Sequence, residues 1–260
     1  MSHLQHSNIG KRATQQLADY DRRQPGTLFA DGLRLDVNEG YALQTAVTNL
    51  RRSRGEQVIG YKVGCTSPKI RAQLGLDHCI SGRLFDSEQF LSGEKISRKS
   101  YANLAIEGEL AVELSREPVL GDFNTNCIPS CVARVFPVIE LHHLLTHSQH
   151  PSAGEMIAHN ALHAGVIAGK GATPCGSYGH PSMSIYMHDQ LLEHFADMSL
   201  LTTIGISLRW LFELLCSRGE RLSAGHVVLT GSILGLMPIQ KACRLRVESN
   251  IFGSVETTIL

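Results

Sequence analysis

The sequence predicts an α+β protein, with a small helical part at the N-terminus and a larger mixed-β body behind it. Two observations carry this. Apolar residues recur at helical spacing up to about residue 52, and from Val58 onward short β-branched runs are punctuated by turn residues. The expected division is a helical part over residues 1–56 and a mixed-β domain over 57–260.

Ile9, Ala13, Leu17 and Tyr20 share one helix face, and Pro25-Gly26 ends that segment. A second helix is expected over 38–52, with Leu43, Val47 and Leu50 on one side. Asp36 and Glu39 stand as a capping-box pair before it, and Arg51, Arg52, Arg54 and Gly55 suit its C-terminus. Residues 58–63 read as a strand. Ser67-Pro68 reads as the N-cap and first residue of a short helix closed by Gly75. Strands are expected at 105–114 and 134–141. Ser152 and Glu155 form a capping box for a helix reaching about 164, and an amphipathic helix over 204–217 is closed by Gly219. Strands at 226–230, 242–248 and 251–259 complete the chain.

Composition removes several classes of function. Twenty-four basic residues balance 24 acidic ones, leaving no field for a phosphate backbone, so no nucleic-acid partner is expected. Charged residues are 18% of 260, below the usual quarter or so, which implies extensive buried surface and a homo-oligomer. Seven scattered cysteines and no apolar leader point to reduced thiols in the cytoplasm. Cys127 and Cys131 stand four apart, with no second pair at zinc-finger spacing. The most apolar stretch, Leu200 to Cys216, is interrupted by Arg209 and Glu213 and reads as too short and too charged to span a bilayer.

Three places break the ordinary pattern. In Gly60-Tyr61-Lys62-Val63-Gly64, alternation puts Lys62 on one strand face between two glycines. That arrangement suits either a ligand approaching the backbone beside a lysine or an edge lysine guarding against aggregation. In residues 105–114, Glu107, Glu109 and Glu113 share one face, either a solvated surface or a grip for a hard cation. Residues 135–141 are apolar on both faces, so Glu140 is a buried carboxylate that needs a partner or a metal. Glu107, Glu109 and Glu140 together would make an all-oxygen site suited to Mg²⁺ or Mn²⁺. His142, His143, His147, His150, His159 and His163 crowd the next stretch, with His159 and His163 at i, i+4 on the expected helix. At least one of His142, His143, His159 and His163 is expected near the metal, where it would serve proton transfer.

Taken in order, Gly60-Tyr61-Lys62-Val63-Gly64-Cys65-Thr66-Ser67, Gln73-Leu74-Gly75, Gly82-Arg83-Leu84-Phe85, Glu107-x-Glu109, Pro137-Val138-Ile139-Glu140, Asn160-Ala161, Trp210-Leu211 and Gly225 to Ser232 resemble one known family. It is the 2-keto-4-pentenoate hydratase and 4-oxalocrotonate decarboxylase family of the fumarylacetoacetase-like superfamily. The resemblance implies an oligomeric mixed-β roll of the fumarylacetoacetase C-terminal type. It implies a divalent metal, Mg²⁺ or Mn²⁺, on Glu107, Glu109 and Glu140, with Lys62 catalytic beside it. It places Tyr61, Asn160, Thr230 and Ser232 against a small 2-oxo acid substrate, and His142 or His159 as candidate proton-transfer groups. It also implies a role in aromatic compound catabolism and leaves room for a complex with a related pathway enzyme.

The implied reaction is hydration of a 2-hydroxy-2,4-dienoate to a 4-hydroxy-2-oxo acid. Alternatives are a 2-oxo diacid decarboxylase, an acylpyruvate C–C hydrolase and a non-catalytic partner subunit. Ile80 stands where the hydratases often carry an acid, which favours the decarboxylase branch. His142-His143, and His159, Leu162 and His163 around the kept Asn160-Ala161, replace residues that the family carries in the substrate-facing shell.

Overall fold

The computed structural model describes residues 3–123, 128–146, 151–175, 178–232 and 235–260, with side chains described from residue 8. Cys127, His147 and His150 lie outside the described residues. The helices at the front are α1 (His3–Arg22), α2 (Thr27–Ala30) and α3 (Val37–Ser53). Asp36 and Glu39 close the expected capping box: the Glu39 N–H donates to Asp36 Oδ1 at 2.8 Å, and the Asp36 N–H to Glu39 Oε2 at 2.9 Å. Leu43 packs with Ala13, Phe29, Leu35 and Ala158 beneath these helices.

The body follows as β1 (Val58–Gly64), α4 (Pro68–Leu74), β2 (Ile80–Phe85), β3 (Gln89–Leu91), β4 (Lys95–Ile96), β5 (Ala105–Leu114) and β6 (Val132–His142). Then come α5 (Ala153–Ala158), β7 (His163–Ala168), β8 (Ser182–Met187), β9 (Gln190–Ala196) and α6 (Ser199–Ser217). The chain finishes with β10 (Val227–Leu229), β11 (Met237–Pro238), β12 (Cys243–Ser249) and β13 (Gly253–Ile259).

Helix α5 stops well short of the expected residue 164. Asn160, Ala161 and Leu162 take left-handed φ of 55°, 51° and 65°, and the chain leaves them as strand β7. His159 and His163 therefore do not share a helix face, which corrects the i, i+4 reading. Strands β2 and β7 escaped the pattern because they are buried on both sides and show no alternation. The β8–β9 hairpin turns on His188-Asp189, both at positive φ, where a primed turn usually announces itself by glycine.

Among the described residues the larger sheet runs β2-β1-β10-β5-β6-β7-β3, with β11 also on β5, and the smaller runs β4-β13-β12-β8-β9. The larger sheet curls until β2 touches β7, so it encloses an interior. Leu84, Ala111, Phe136, Val138, Val166, Val227 and Leu229 fill one end of that interior with apolar side chains. The smaller sheet and α6 cover the outside. A Cβ on Gly108 would stand 2.9 Å from Ile185 Cδ1 and 3.0 Å from Val247 Cγ2, so the missing side chain is what lets the two sheets close. Helix α6 is long and apolar enough to cross a bilayer, longer than the sequence stretch suggested. Its Leu200, Ile204, Leu208, Leu211 and Leu215 face is instead buried in the main core.

Candidate active site

The antiparallel register of β5 and β6 sets Glu107 directly opposite Glu140 on the inner face of the roll. Like charges in that position repel, so something positive must lie between or beside them. Strand β1 supplies it: Lys62 Nζ is 2.9 Å from Glu140 Oε1, and both side chains are buried, at 3% and 0% exposure. His163 at the start of β7 is wholly buried, and its Nδ1–H donates to the same oxygen at 2.8 Å. His142, two residues beyond Glu140, sets Nε2 3.3 Å from Glu107 Oε2 and 3.4 Å from Glu140 Oε2. Glu107 is the outermost of these groups, its side chain 21% exposed.

Burial opposes every charge here, and the partners decide the outcome. Burial alone would lower the Lys62 pKa, but Glu140, Glu107 and Glu109 raise it above the ordinary lysine value. Burial would raise Glu140, but Lys62 and His142 hold it well below the usual carboxylate range. Glu109 goes the other way: burial, then the charges of Glu140 and Glu107, push it well above that range. Burial would lower His142, and Glu140 raises it.

The remaining expected residues are distributed unevenly. Glu109 is buried beside Glu140, but its Oε2 accepts from the Gly231 N–H at 2.9 Å. Thr230 and Ser232 flank that glycine, and their hydroxyls donate to Leu110 O and Gly108 O. Asn160 spends both amide atoms on Arg83, accepting from its N–H at 2.7 Å and donating to its carbonyl at 2.8 Å. This grip seats the left-handed turn over Gly82, where a Cβ would stand 2.4 Å from Asn160 O, and it brings Ala161 O to 3.3 Å from Lys62 Nζ. Tyr61, on the opposite face of β1, donates to Glu220 and lines a separate groove of about 1160 Å³ between α1, α3 and the chain beyond α6. His159 packs among the helices, its Nδ1 2.7 Å from Gln16 Nε2 and its ring against Phe29. His143 accepts from the Ala102 N–H and packs against Tyr20 and Tyr101.

The glycines flanking Lys62 have a different use from the one their sequence suggested. A Cβ on Gly60 would lie 1.9 Å from Val227 O, so Gly60 admits β10, while Gly64 has only ordinary contacts. The backbone approach on the lysine face comes at Gly82.

The residues present fit a divalent cation. Glu107, Glu140 and His142 offer donor atoms within 4.8 Å of one another, and Glu140 Oε2 and both His142 nitrogens are buried without hydrogen-bond partners. Two opposed acids and an orphaned imidazole are a donor set that a cation would complete.

No family model matches the chain. It is 26% identical over 231 residues to a 2-keto-4-pentenoate hydratase of Burkholderia vietnamiensis, covering 86% of each chain. It is 26% identical over 271 residues to a 2-oxo-hept-4-ene-1,7-dioate hydratase of Escherichia coli, covering 96% of each. The chain is a relative of these hydratases. Its fold is that of 4-oxalocrotonate decarboxylase from Pseudomonas putida G7, solved with magnesium and adipate. The two superpose with a TM-score of 0.88 over 98% of both chains at 21% identity. The resemblance read from the ordered motifs and the α+β roll it implied are thereby met.

Two participants were not anticipated. Ala161 acts through its carbonyl, and nothing in Asn-Ala-Leu announces three consecutive left-handed residues. Arg83 takes part through its backbone N–H and C=O, which hold Asn160, while its buried guanidinium, bonded to Gln44, Thr45 and Glu220, lines the Tyr61 groove. Reading residues 163–168 as a strand would have brought His163 to Glu140.

Proposed function

We propose that this protein is a divalent-metal-dependent lyase of short 2-oxo acids, most closely a hydratase that adds water to a 2-hydroxy-2,4-dienoate. The observation that carries the reading is the buried convergence of Lys62, Glu107, Glu109 and Glu140 on the inner face of an otherwise apolar roll. It occurs in a chain related along most of its length to hydratases of such acids.

Glu107, Glu109 and Glu140 are the carboxylates that would hold the cation. When bound, a divalent cation acts as a Lewis acid toward the oxygens of a 2-oxo acid. Lys62 carries three N–H donors; Glu140 and Ala161 take two, leaving one for an anionic substrate oxygen. In the metal-free protein the surrounding carboxylates favour its ammonium form, which can donate to such an oxygen. Its lone remaining donor and the apolar roll wall fix one orientation for a small acid and exclude bulk water from the rest of the chain. Across the reaction a hydroxyl is added at C4, protons at C3 and C5, and the enol proton leaves the C2 oxygen.

Decarboxylation of a 2-oxo diacid is the second reading. Ile80, 3% exposed, contacts the Lys62 strand where an acid would serve hydration, and the superposed structure is a decarboxylase. We further propose residues 1–56 as a helical unit distinct from 57–260, a cytoplasmic homo-oligomer, and a place in aromatic compound breakdown. The free thiols of Cys65, Cys79, Cys131, Cys216 and Cys243 support a reducing compartment.

The test uses purified protein with Mg²⁺ or Mn²⁺ and a series of five- to eight-carbon 2-hydroxydienoates and 2-oxo diacids, followed by ultraviolet absorbance and CO₂ release. Loss of the dienol band without CO₂ is the expected result. Stoichiometric CO₂ moves the protein to the decarboxylase branch, and no turnover of any substrate overturns the lyase reading.

A further inference from the structure

We propose that the groove behind β1 is a second binding site, which takes an organic diphosphate of nucleotide size. The inference stands on residues outside the catalytic cluster and is independent of the lyase reading.

The argument starts from charge. The chain as a whole has a formal charge of zero, yet Arg12, Arg52, Arg83, Arg218 and Arg221 all line this groove, against Glu39 and Glu220. Five arginines against two glutamates leave a local excess of three positive charges on a concave wall, which focuses their field. Both acids are already engaged. Glu39 accepts from the Asp36 N–H at 2.9 Å, and Glu220 accepts from Arg83 at 2.7 Å and from the Tyr61 hydroxyl at 3.3 Å. Arg221 pairs with Glu117 at 3.3 Å. Among the described residues, Arg12, Arg52 and Arg218 have no acidic partner. Arg218 is nonetheless held in place, its guanidinium carbon 4.3 Å from the centroid of the buried Tyr41 ring.

These three cations reach the groove from different elements: Arg12 from α1, Arg52 from the last turn of α3 and Arg218 from the cap of α6. Guanidinium groups set around a concavity match an ion that presents several oxygens at once, and each planar fork suits a phosphate. The groove is too large for inorganic phosphate alone. Its volume of about 1160 Å³ exceeds the roughly 300–1,000 Å³ of typical small-molecule sites. Ile9, Leu35, Ala42 and Val58 give it an apolar side. Tyr61 and His226, edge to face with centroids 5.8 Å apart, add an aromatic one. A ring-bearing frame fits there, with its phosphates toward the arginines.

The probe is adenosine diphosphate, titrated calorimetrically into the full chain in its native assembly. Chelator is present throughout, so that no cation bridges phosphate to the carboxylates of the roll. Pyrophosphate and adenosine are titrated beside it. Expected is one nucleotide per chain, bound more tightly than either fragment and more weakly as salt is raised. Arg52→Gln and Arg218→Gln should each weaken it roughly tenfold, the size of a lost charge-assisted hydrogen bond. Arg52 has no ion pair to lose, so Arg52→Gln should melt as the wild type does and keep its metal affinity. That variant carries the test if Arg218→Gln fails to fold. Absence of nucleotide binding overturns the proposal, as does binding unmoved by Arg52→Gln, or either fragment binding as tightly as the whole. Light scattering reads the assembly in parallel. If Arg52→Gln falls apart into smaller oligomers, the groove is an interface between copies and the proposal is overturned.

Discussion

Lys62 and His163 hold the same oxygen of Glu140, from two strands on either side of it, at 2.9 and 2.8 Å. Glu140 is wholly buried and would not stay ionised alone; a buried charge persists only where partners replace the water it loses.

Lys62→Met therefore strands the Glu140 carboxylate. Stability should fall by about 3–5 kcal/mol, and Glu140→Gln in the same chain should recover much of it. Turnover should drop roughly a hundredfold or more, and Lys62→Arg should not restore it, because a planar guanidinium cannot reproduce the ammonium geometry. Urea titration and steady-state kinetics of the three variants check this. A fully active Lys62→Met enzyme removes Lys62 from the mechanism.

Glu140→Gln alone should keep the fold and lose metal affinity and activity together. The neutral amide still accepts from Lys62 or His163 but no longer supplies a charge. Calorimetric metal titration beside circular dichroism is the measurement. Wild-type activity undiminished after exhaustive chelation would sink the metal's role.

Gly82→Ala should damage the site from outside it. The new methyl would stand 2.4 Å from Asn160 O, so the left-handed turn must lift and carry Ala161 O away from Lys62. We expect kcat to fall several-fold or more with the protein still folded. Asn160→Ala should mimic it and cost about 2–3 kcal/mol, since both Arg83 backbone groups lose their partners. Unchanged kcat in both variants would show that the turn does not position the lysine.

Acid should weaken the join between α3 and the β2 end. Burial would raise Glu56, but Arg51, Ser87 and Arg54 pull its pKa from 4.5 down to about 2. A carboxylate depressed on folding contributes stability above its unfolded pKa and loses it as pH falls through the folded one. The contribution is therefore complete above about pH 4.5 and disappears toward pH 2. Melting temperatures from pH 6 to 2.5 should show a fall over that window that is smaller in Glu56→Gln.

The Asp36–Glu39 capping box, the two long central strands and the burial of Glu140 were legible in the sequence, because each rests on local spacing, whereas Ser67, read as a cap, makes no capping hydrogen bond through its side chain. Asp36 and Glu39 need only three residues to declare a cap. Glu140 stands out because its neighbours on both strand faces are apolar. What pairs with Glu140 was not legible in the same way. Which oxygen Lys62 takes, and that His163 shares it, depend on the meeting of β1, β6 and β7, whose register no local pattern records. Tyr61 illustrates the limit. It adjoins Lys62 in the motif, yet strand alternation turns it into a different groove.

Glu107 is the one acid of the cluster with appreciable contact to water; Lys62, Glu140, His142 and His163 are almost sealed. A cation bound here would therefore touch water on the Glu107 side and protein on the Glu140 side. Substitutions at Glu107 would then alter its exchange, and substitutions at Glu140 its affinity.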